Sequence, residues 1–242
     1  MTRARFTPEA GRPSKERTKH IFSTIAPEYD RFNKYSSMGL DRLWRKSTVR
    51  LARLKRSSEV LDLAAGTGDL TLALAESGAP SRIVCTDLVP EMLEVAKAKV
   101  APYEGPTRIE FDVVDAQAIP LPDESFDVVT VGFGVRNMPD RAANFSEVYR
   151  VLRPRGRYVV LEFSRPLFPP FRALYHFYLR TVIPMLGAKL TGDRASFEYL
   201  NESILAFPGQ VALAGELHKA GFSEVTWRNL TFGIVAVHVA VK

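Results

Sequence analysis

The stretch LDLAAGTGD (61–69) decides the fold. An apolar run, typical of a buried strand, ends at Gly66 and Gly68, and the helical pattern DLTLALAESG (69–78) follows at once. Glycines at such a junction let the backbone approach a ligand closely, where the N–H groups of a new helix point outward. The stretch therefore predicts a ligand site at the carboxyl end of a buried strand.

The same alternation of strand and helix governs the chain up to residue 163. After a strand at 59–64, it predicts strands at 82–87, 108–115, 126–131 and 156–163, and helices at 90–100 and 140–156, the second ended by Pro154 and Gly156. Two final strands, at 222–230 and 232–241, are expected to pair antiparallel. We therefore predict an α/β fold with a Rossmann-like, mostly parallel seven-stranded sheet and an antiparallel last strand.

Two stretches interrupt this alternation. Residues 20–54 predict helices that pack over the sheet edge as a lid, and residues 168–187 predict an aromatic-rich helical insertion. We expect a basic N-terminal tail and helical lid at 1–54. A ligand-binding domain at 55–242, with a helical insertion at 165–207, should complete the chain.

Composition excludes several classes of protein. The 242 residues are 46% hydrophobic, enough to bury the core of one α/β domain. No apolar stretch reaches the roughly 20 residues of a membrane span, and the N-terminus lacks the apolar core of a signal peptide. The single cysteine, Cys85, suits a reducing, cytoplasmic compartment and is expected to be a buried, inert thiol. The four histidines show no ligand spacing, so we predict no metal site.

Positive charge is concentrated at the N-terminus. Residues 1–56 hold 15 Lys or Arg against 5 Asp or Glu, whereas the remainder holds 18 against 22. One interpretation is a solvated, partly disordered tail. The other is attraction to anionic lipid headgroups or nucleic acid.

Acidic residues follow the strands that should flank the glycine junction. Asp87 ends the second strand, where its carboxylate could accept both hydroxyls of a ribose. Asp115 ends the third strand, where it could take an adenine amino group while the Ala116 amide faces the ring. The third glycine of a dinucleotide fingerprint is missing. Asp62 and Asp69 beside the loop disfavour phosphate and favour a cation, so the pattern indicates S-adenosylmethionine rather than a nicotinamide cofactor. The alternative is a glycine turn that merely links strand to helix.

Longer motifs spread over residues 18–241 carry a resemblance to one known family. They are FSTIAPEYDRFNKYSSMGLDRLWRK, VLDLAAGTGDLTLAL, GFGVRNMPD, YRVLRPRGRYVVLEFSRP, YLNESILAFPGQ and NLTFGIVAVH. With these motifs the chain resembles the ubiquinone/menaquinone biosynthesis C-methyltransferases. The resemblance implies a class I methyltransferase domain that uses S-adenosylmethionine, with Thr67, Asp87, Asp115 and Ala116 at positions that contact the cofactor. Two departures are Ala65, where the family often has glycine, and Gly132, where some members have a cofactor-contacting serine.

The substrate implied by the resemblance is a polyprenylated quinol. We favour C-methylation of demethylmenaquinol to menaquinol in menaquinone biosynthesis, with a polyprenyl benzoquinol of ubiquinone biosynthesis as the alternative. A cytoplasmic protein held peripherally at the inner face of the membrane would meet such a lipid, and a homodimer is left open. Prenyl chain length is also left open.

The stretch GFGVRNMPD (132–140) provides the predicted catalytic residues. Arg136 is expected to steady the quinol oxyanion, directly or through a water, and Asn137 to bind the ring oxygen or orient that water. Tyr29, in PEYD, could close over the site. The alternative role for Arg136 is to brace the lid through Asp30 or Glu28.

Aromatic side chains could form a slot for the prenyl tail. The candidates are Trp44, Phe168, Phe171, Tyr175, Phe177, Tyr178 and Leu179. The alternative is that they pack as ordinary core or a subunit contact. A nucleic-acid methyltransferase is disfavoured, because the predicted edge has no cysteine nucleophile and no Asn/Asp-Pro-Pro-aromatic stretch. A non-catalytic cofactor-binding protein remains a third hypothesis.

Overall fold

A seven-stranded sheet forms the centre of the computed structural model, which describes residues 13–186 and 194–242. The strands are β1 (Ser58–Leu63), β2 (Pro80–Asp87), β3 (Arg108–Val113), β4 (Phe126–Gly132), β5 (Leu152–Phe163), β6 (Glu224–Leu230) and β7 (Val235–Val241). Their order is β3-β2-β1-β4-β5-β7-β6. In this sheet β7 alone runs opposite to the other six strands, antiparallel to both of its neighbours, β5 and β6. The predicted fold class is confirmed.

Helices cover both faces of the sheet and its carboxyl edge. They are α1 (Lys15–Ile25), α2 (Tyr29–Ser36), α3 (Asp41–Ala52), α4 (Asp69–Glu76), α5 (Pro90–Val100), α6 (Arg141–Val151), α7 (Pro169–Phe177), α8 (Arg194–Ala206) and α9 (Gln210–Lys219). A π-helical segment, Tyr178–Val182, continues α7. Short 3₁₀ turns lie at Ala26–Glu28, Val135–Asn137 and Thr231–Gly233. Within the described parts of the chain, none of the helices combines the length and apolar character that a bilayer span needs.

Local sequence explains where several helices begin. The Ser14 hydroxyl accepts a hydrogen bond from the Arg17 N–H before α1, and the Asp140 carboxylate accepts one from the Ala143 N–H before α6. Pro90 occupies the first position of α5, as predicted. The predicted end of α6 is wrong. The helix ends at Val151, and Pro154 and Gly156 lie within β5.

The sheet is buried between two apolar layers. One joins α6 and α9 to the sheet through residues such as Phe145 and Tyr158, and the other joins α3 and α4 through Trp44 and Leu74. Because β1 lies between β2 and β4, the chain reverses its direction of winding there. The carboxyl ends of β1 and β4 meet at this switch point, where open sheets of this kind bind ligands.

The N-terminal helices also pack on the segment after β5. Phe32 of α2 lies in one apolar cluster with Tyr175, Leu179 and Ile183, and the Tyr178 hydroxyl donates to the Ser36 carbonyl at 2.8 Å. The division of the chain at residue 54 stays a prediction. Residues 1–12 of the predicted tail and 187–193 of the predicted insertion lie outside the described residues.

Candidate active site

The glycine loop after β1 makes a left-handed turn at three positions. Gly66 and Gly68 have φ of 56° and 78°, and Ala64 has φ of 49°. The departure at Ala65 therefore does not strain the loop, since Ala64 takes the left-handed position instead. A Cβ on Gly68 would lie 2.9 Å from the Cβ of Ala96. Gly68 serves close packing between the loop and α5, whereas Gly66 faces the site.

Asp87 is a buried carboxylate beside that loop. Its Oδ2 accepts a hydrogen bond from the Gly66 N–H at 2.8 Å, and its Oδ1 accepts one from the Val89 N–H at 2.9 Å. Burial raises the pKa of Asp87, although these backbone donors oppose the shift. Each oxygen keeps a further lone pair, so the carboxylate can still accept hydrogen bonds from a ligand.

Asp115 lies at the end of the third strand, as expected, but a lysine already contacts it. Lys15 of α1 places its Nζ 2.5 Å from the Asp115 Oδ2, and the Gln117 N–H donates to Oδ1 at 2.9 Å. Burial acts to raise the pKa of Asp115, but Lys15 and Gln117 hold it below its usual value. Ala116 is buried next to it. The first turn of α1 therefore belongs to the site.

These residues surround one cavity at the carboxyl edge of the sheet. We call it the sheet-edge cavity. Its lining includes Gly132 and seven of the predicted site residues: Tyr29, Gly66, Thr67, Asp87, Asp115, Ala116 and Asn137. Two carboxylates on neighbouring strand ends, beside a loop without side chains at Gly66, fit the ribose and adenine of an adenosine cofactor.

The predicted attraction of Asp62 and Asp69 for a cation is not supported by their surroundings. Asp62 is buried in the sheet, where the hydroxyls of Thr71 and Thr130 both donate to it at 2.6 Å. Burial raises its pKa to about 6. Asp69 is paired with Lys99 at 2.5 Å and with Arg45 at 2.9 Å. The case for an adenosine cofactor therefore rests on Asp87, Asp115 and the loop.

A network of charges ties the lid helices to the glycine loop. The Thr67 hydroxyl donates to Asp30 of α2 at 2.5 Å, and Lys99 of α5 lies 2.6 Å from the same carboxylate. Arg45 of α3 bridges Asp69 and Asp41, both within hydrogen-bonding distance. The network spans α2, α3, the loop and α5, so the lid is fixed where the loop turns.

A second, largely apolar cavity of about 570 Å³ adjoins the first. This apolar cavity lies between the lid helices and the segment after β5. Trp44 and five of the six predicted insertion residues line it: Phe171, Tyr175, Phe177, Tyr178 and Leu179. Phe168 is exposed on the surface outside this lining. The two cavities share Phe22, Tyr29, Asn33, Arg45, Phe133 and Asn137.

Arg136 faces the apolar cavity with its charge paired. Its Nη1 lies 2.9 Å from the Glu162 Oε1 and also donates to the Phe133 carbonyl. The side chains are 2% and 1% exposed, so this is a fully buried ion pair. Bracing through Asp30 or Glu28 is wrong, because Arg136 pairs with Glu162. Asp30 instead binds Thr67 and Lys99, and Glu28 lies 3.6 Å from Arg31. The Nε of Arg136 has no hydrogen-bond partner among the described residues.

Asn137 and Tyr29 stand where the two cavities meet. The Asn137 side chain is buried, with its Oδ1 3.5 Å from the Tyr199 hydroxyl and its Nδ2 3.5 Å from the Phe133 carbonyl. The Tyr29 ring lies beside Gly66, where an added Cβ would be 3.9 Å from its Cε1. Burial raises the pKa of Tyr29, against the charge of Arg136. The structure brings Tyr29, Arg136 and Asn137 together, as the sequence predicts.

Several groups in the site were not anticipated. Glu162, Lys15 and Lys99 contact the predicted site residues Arg136, Asp115 and Thr67, and Arg45 pairs with Asp69 beside the loop. The sequence offered one signal, since Glu162 is a lone acid within an apolar strand and such a group needs a buried partner. Cys85, by contrast, is buried as predicted, and burial raises its pKa to about 12.

Comparisons of sequence and of structure with known proteins both find methyltransferases. The model of the ubiE/COQ5 methyltransferase family matches residues 12–242. A "Ubiquinone/menaquinone biosynthesis C-methyltransferase UbiE" of Citrifermentans bemidjiense is 41% identical over 94% of this chain and 97% of that protein. A "Demethylmenaquinone methyltransferase" of Clavibacter sepedonicus is 42% identical over 100% of this chain and 95% of that protein. An S-adenosylmethionine-dependent methyltransferase structure from Aquifex aeolicus aligns with a TM-score of 0.61 at 17% identity, over 88% and 96% of the two chains.

Proposed function

This chain belongs to the ubiE/COQ5 methyltransferase family, and on that premise we propose that it methylates a ring carbon of a polyprenylated quinol with S-adenosylmethionine. Our favoured reaction is demethylmenaquinol to menaquinol, and the alternative substrate is a polyprenyl benzoquinol. One observation carries the proposal. The sheet-edge cavity, whose carboxylates suit adenosine, joins an apolar cavity of about 570 Å³ through six shared residues.

The cofactor roles follow from the sheet-edge cavity. When bound there, S-adenosylmethionine supplies an electrophilic methyl group on a sulfonium. Asp87 would accept the ribose hydroxyls with the lone pairs that Gly66 and Val89 leave free. Asp115 and the Ala116 amide would hold the adenine, with Lys15 turning aside from the carboxylate. Gly66, Thr67 and Gly68 would shape the loop around the methionine portion.

The quinol roles follow from the polar floor of the apolar cavity. Carbon becomes nucleophilic when the neighbouring hydroxyl ionises, so the protein must stabilise a ring oxyanion and accept a proton. We assign the oxyanion contact to Arg136, whose Nε is unpartnered among the described residues. Glu162 fixes that guanidinium, and a donor already in place needs no reorganisation during the reaction. Asn137 would bind the ring oxygen or orient a water, and Tyr29 would close the junction.

Membrane association completes the proposal. A quinol with a prenyl tail resides in a bilayer, and the basic N-terminal segment suits an anionic surface. We propose a cytoplasmic enzyme held peripherally at the inner face of the membrane, with a homodimer left open.

The decisive assay offers purified protein methyl-labelled cofactor with demethylmenaquinol and with the benzoquinol analogue, side by side. We expect label in the naphthoquinol ring. Asp87→Asn should lose most turnover at low cofactor concentration, whereas Glu216→Gln, a change in a partly exposed ion pair with Arg141, should not. Cofactor binding without transfer to either quinol would contradict the function.

A further inference from the structure

The mouth of the apolar cavity opens onto exposed apolar side chains. Five lining residues are exposed to solvent: Met38, Leu174, Phe177, Val182 and Phe232. Folded monomers seldom expose contiguous apolar surface of this kind without a partner. The opening therefore connects the cavity with an apolar exterior.

More apolar surface continues outward from this mouth. Leu167 and Phe168, just before α7, are 68% and 64% exposed, and neither lines the cavity. The Phe171 and Phe232 rings lie 5.3 Å apart, so the Thr231–Gly233 turn sits against α7. Gly233 also packs closely on the backbone of Arg165 and Pro166. These residues form one surface, which we call the mouth face: Leu167, Phe168, Leu174, Phe177 and Phe232.

The backbone holds Phe232 outward at a conformational cost. Thr231 and Phe232 have φ of 46° and 56°, in the left-handed region that large side chains avoid. Phe232 nonetheless remains 78% exposed. A strained turn that presents an aromatic ring to solvent indicates a further contact that the described residues do not supply.

The chain segment that carries most of the mouth face has charge of one sign. Residues 165–186 contain Arg165, Arg172 and Arg180 and neither Asp nor Glu. The three arginines lie close enough to His176 of α7 that their charges lower its pKa, together with burial. A second copy of the chain, docked face to face, would bring this basic cluster against its own equivalent. Anionic lipid headgroups around an apolar bilayer match both properties.

We propose that the mouth face inserts into the surface of an anionic phospholipid bilayer, so that the apolar cavity opens directly into the lipid. This inference rests on the proposed function for its substrate, since a prenyl tail could then pass from the bilayer to Asn137 without crossing water. Arg172 and Arg180 would contact lipid phosphates beside the inserted side chains.

The test compares sedimentation of the full chain with vesicles of phosphatidylglycerol and phosphatidylcholine, and with phosphatidylcholine vesicles alone. Leu167→Ser/Phe168→Ser removes two exposed side chains outside the cavity, and serine suits the cap position that Phe168 occupies before α7. We expect its partitioning to fall about tenfold or more. Arg172→Gln/Arg180→Gln should lose about ten- to thirty-fold in partitioning to the anionic vesicles only.

Val113→Ser is the matched control. It removes an exposed apolar side chain from β3, at the opposite end of the sheet from β7 and β6, and should bind vesicles as the unaltered protein does. Equal binding by Leu167→Ser/Phe168→Ser and the unaltered protein would overturn the proposal. So would a dimer in sedimentation equilibrium that this variant dissociates while no form binds vesicles.

Failure of the proposed function gives a different result. With a short-chain quinol and no vesicles, methyl transfer tests the reaction alone. Methyl transfer to the short-chain quinol by a protein that does not bind vesicles would contradict the proposal for the mouth face but not the proposed reaction. Vesicle binding that follows the variants as described, without transfer to any quinol, would contradict the reaction only.

Discussion

Replacing Arg136 by alanine measures how much its buried ion pair with Glu162 stabilises the fold. The change leaves the Glu162 carboxylate, 1% exposed, without its cation, and breaking a buried ion pair from one side costs about 3–5 kcal/mol in free energy of unfolding. Arg141→Ala, which breaks a partly exposed pair with Glu216, should cost less, about 1 kcal/mol. Urea denaturation of both variants measures the difference.

The pH dependence of Arg136→Ala identifies the stranded group. Burial already raises the pKa of Glu162, and Arg136 opposes that shift. Without Arg136 the folded protein binds a proton on Glu162 more tightly than the unfolded chain does. The free energy of unfolding of the variant should therefore recover as pH falls from about 8 towards about 5, relative to the unaltered protein.

A double variant then isolates the catalytic contribution. Arg136→Met/Glu162→Gln removes both charges but keeps a side-chain acceptor for the backbone N–H groups of residues 136 and 163, and should restore most of the lost stability. If Arg136 contacts the quinol oxyanion, kcat stays down by about a hundredfold while cofactor affinity is unchanged. Arg136→Lys should recover little, because an ammonium does not reproduce the planar fork. A stable double variant with normal kcat would refute the catalytic role and leave Arg136 as a structural cation.

Three further predictions concern the cofactor loop and the tail. Asp87→Ala should weaken S-adenosylmethionine binding about ten- to a hundred-fold in calorimetry, and unchanged affinity in a folded variant would place the ribose elsewhere. Gly68→Ala should lower the free energy of unfolding by about 1–3 kcal/mol, because the new Cβ would lie 2.9 Å from Ala96 and the φ of residue 68 is 78°. An unchanged free energy of unfolding in urea would contradict the close packing. Deleting residues 1–12 should reduce binding to anionic vesicles at unchanged cofactor affinity, because it removes basic residues and leaves Lys15 and α1 in place; vesicle binding unaffected by this deletion would make the tail's charge irrelevant.

Most of the fold could be predicted because apolar runs and helix-starting residues are local signals. The helix Pro90–Val100 was predicted to the residue, and five of the seven strands to within two residues at each end. The end of α6 failed because a pairing between distant residues decides it. Leu152 joins the sheet opposite Phe126, and Arg155 takes a φ of 65° so that Pro154 and Gly156 fit beyond the helix.

The site was predictable where residues lie at the ends of strands, since topology brings those ends together. Asp87, Asp115, Arg136 and Asn137 were predicted at this edge in this way, and each lines one or both cavities. Lys15 was counted only as part of a charged tail, because its contact with Asp115 joins elements far apart in the chain. Glu162, the partner of Arg136, was missed because the interior of an apolar strand was not expected to supply a charge.

The wall shared by the two cavities makes their ligands energetically interdependent. Phe22, Tyr29, Asn33 and Arg45 all belong to the lid, and each borders both cavities. Both ligands therefore contact the same side chains. The first ligand to bind orders those side chains, so the second ligand binds with a smaller loss of conformational entropy. We expect positive cooperativity. Whatever factor the cofactor adds to quinol affinity, the quinol must add to cofactor affinity, because such coupling is reciprocal.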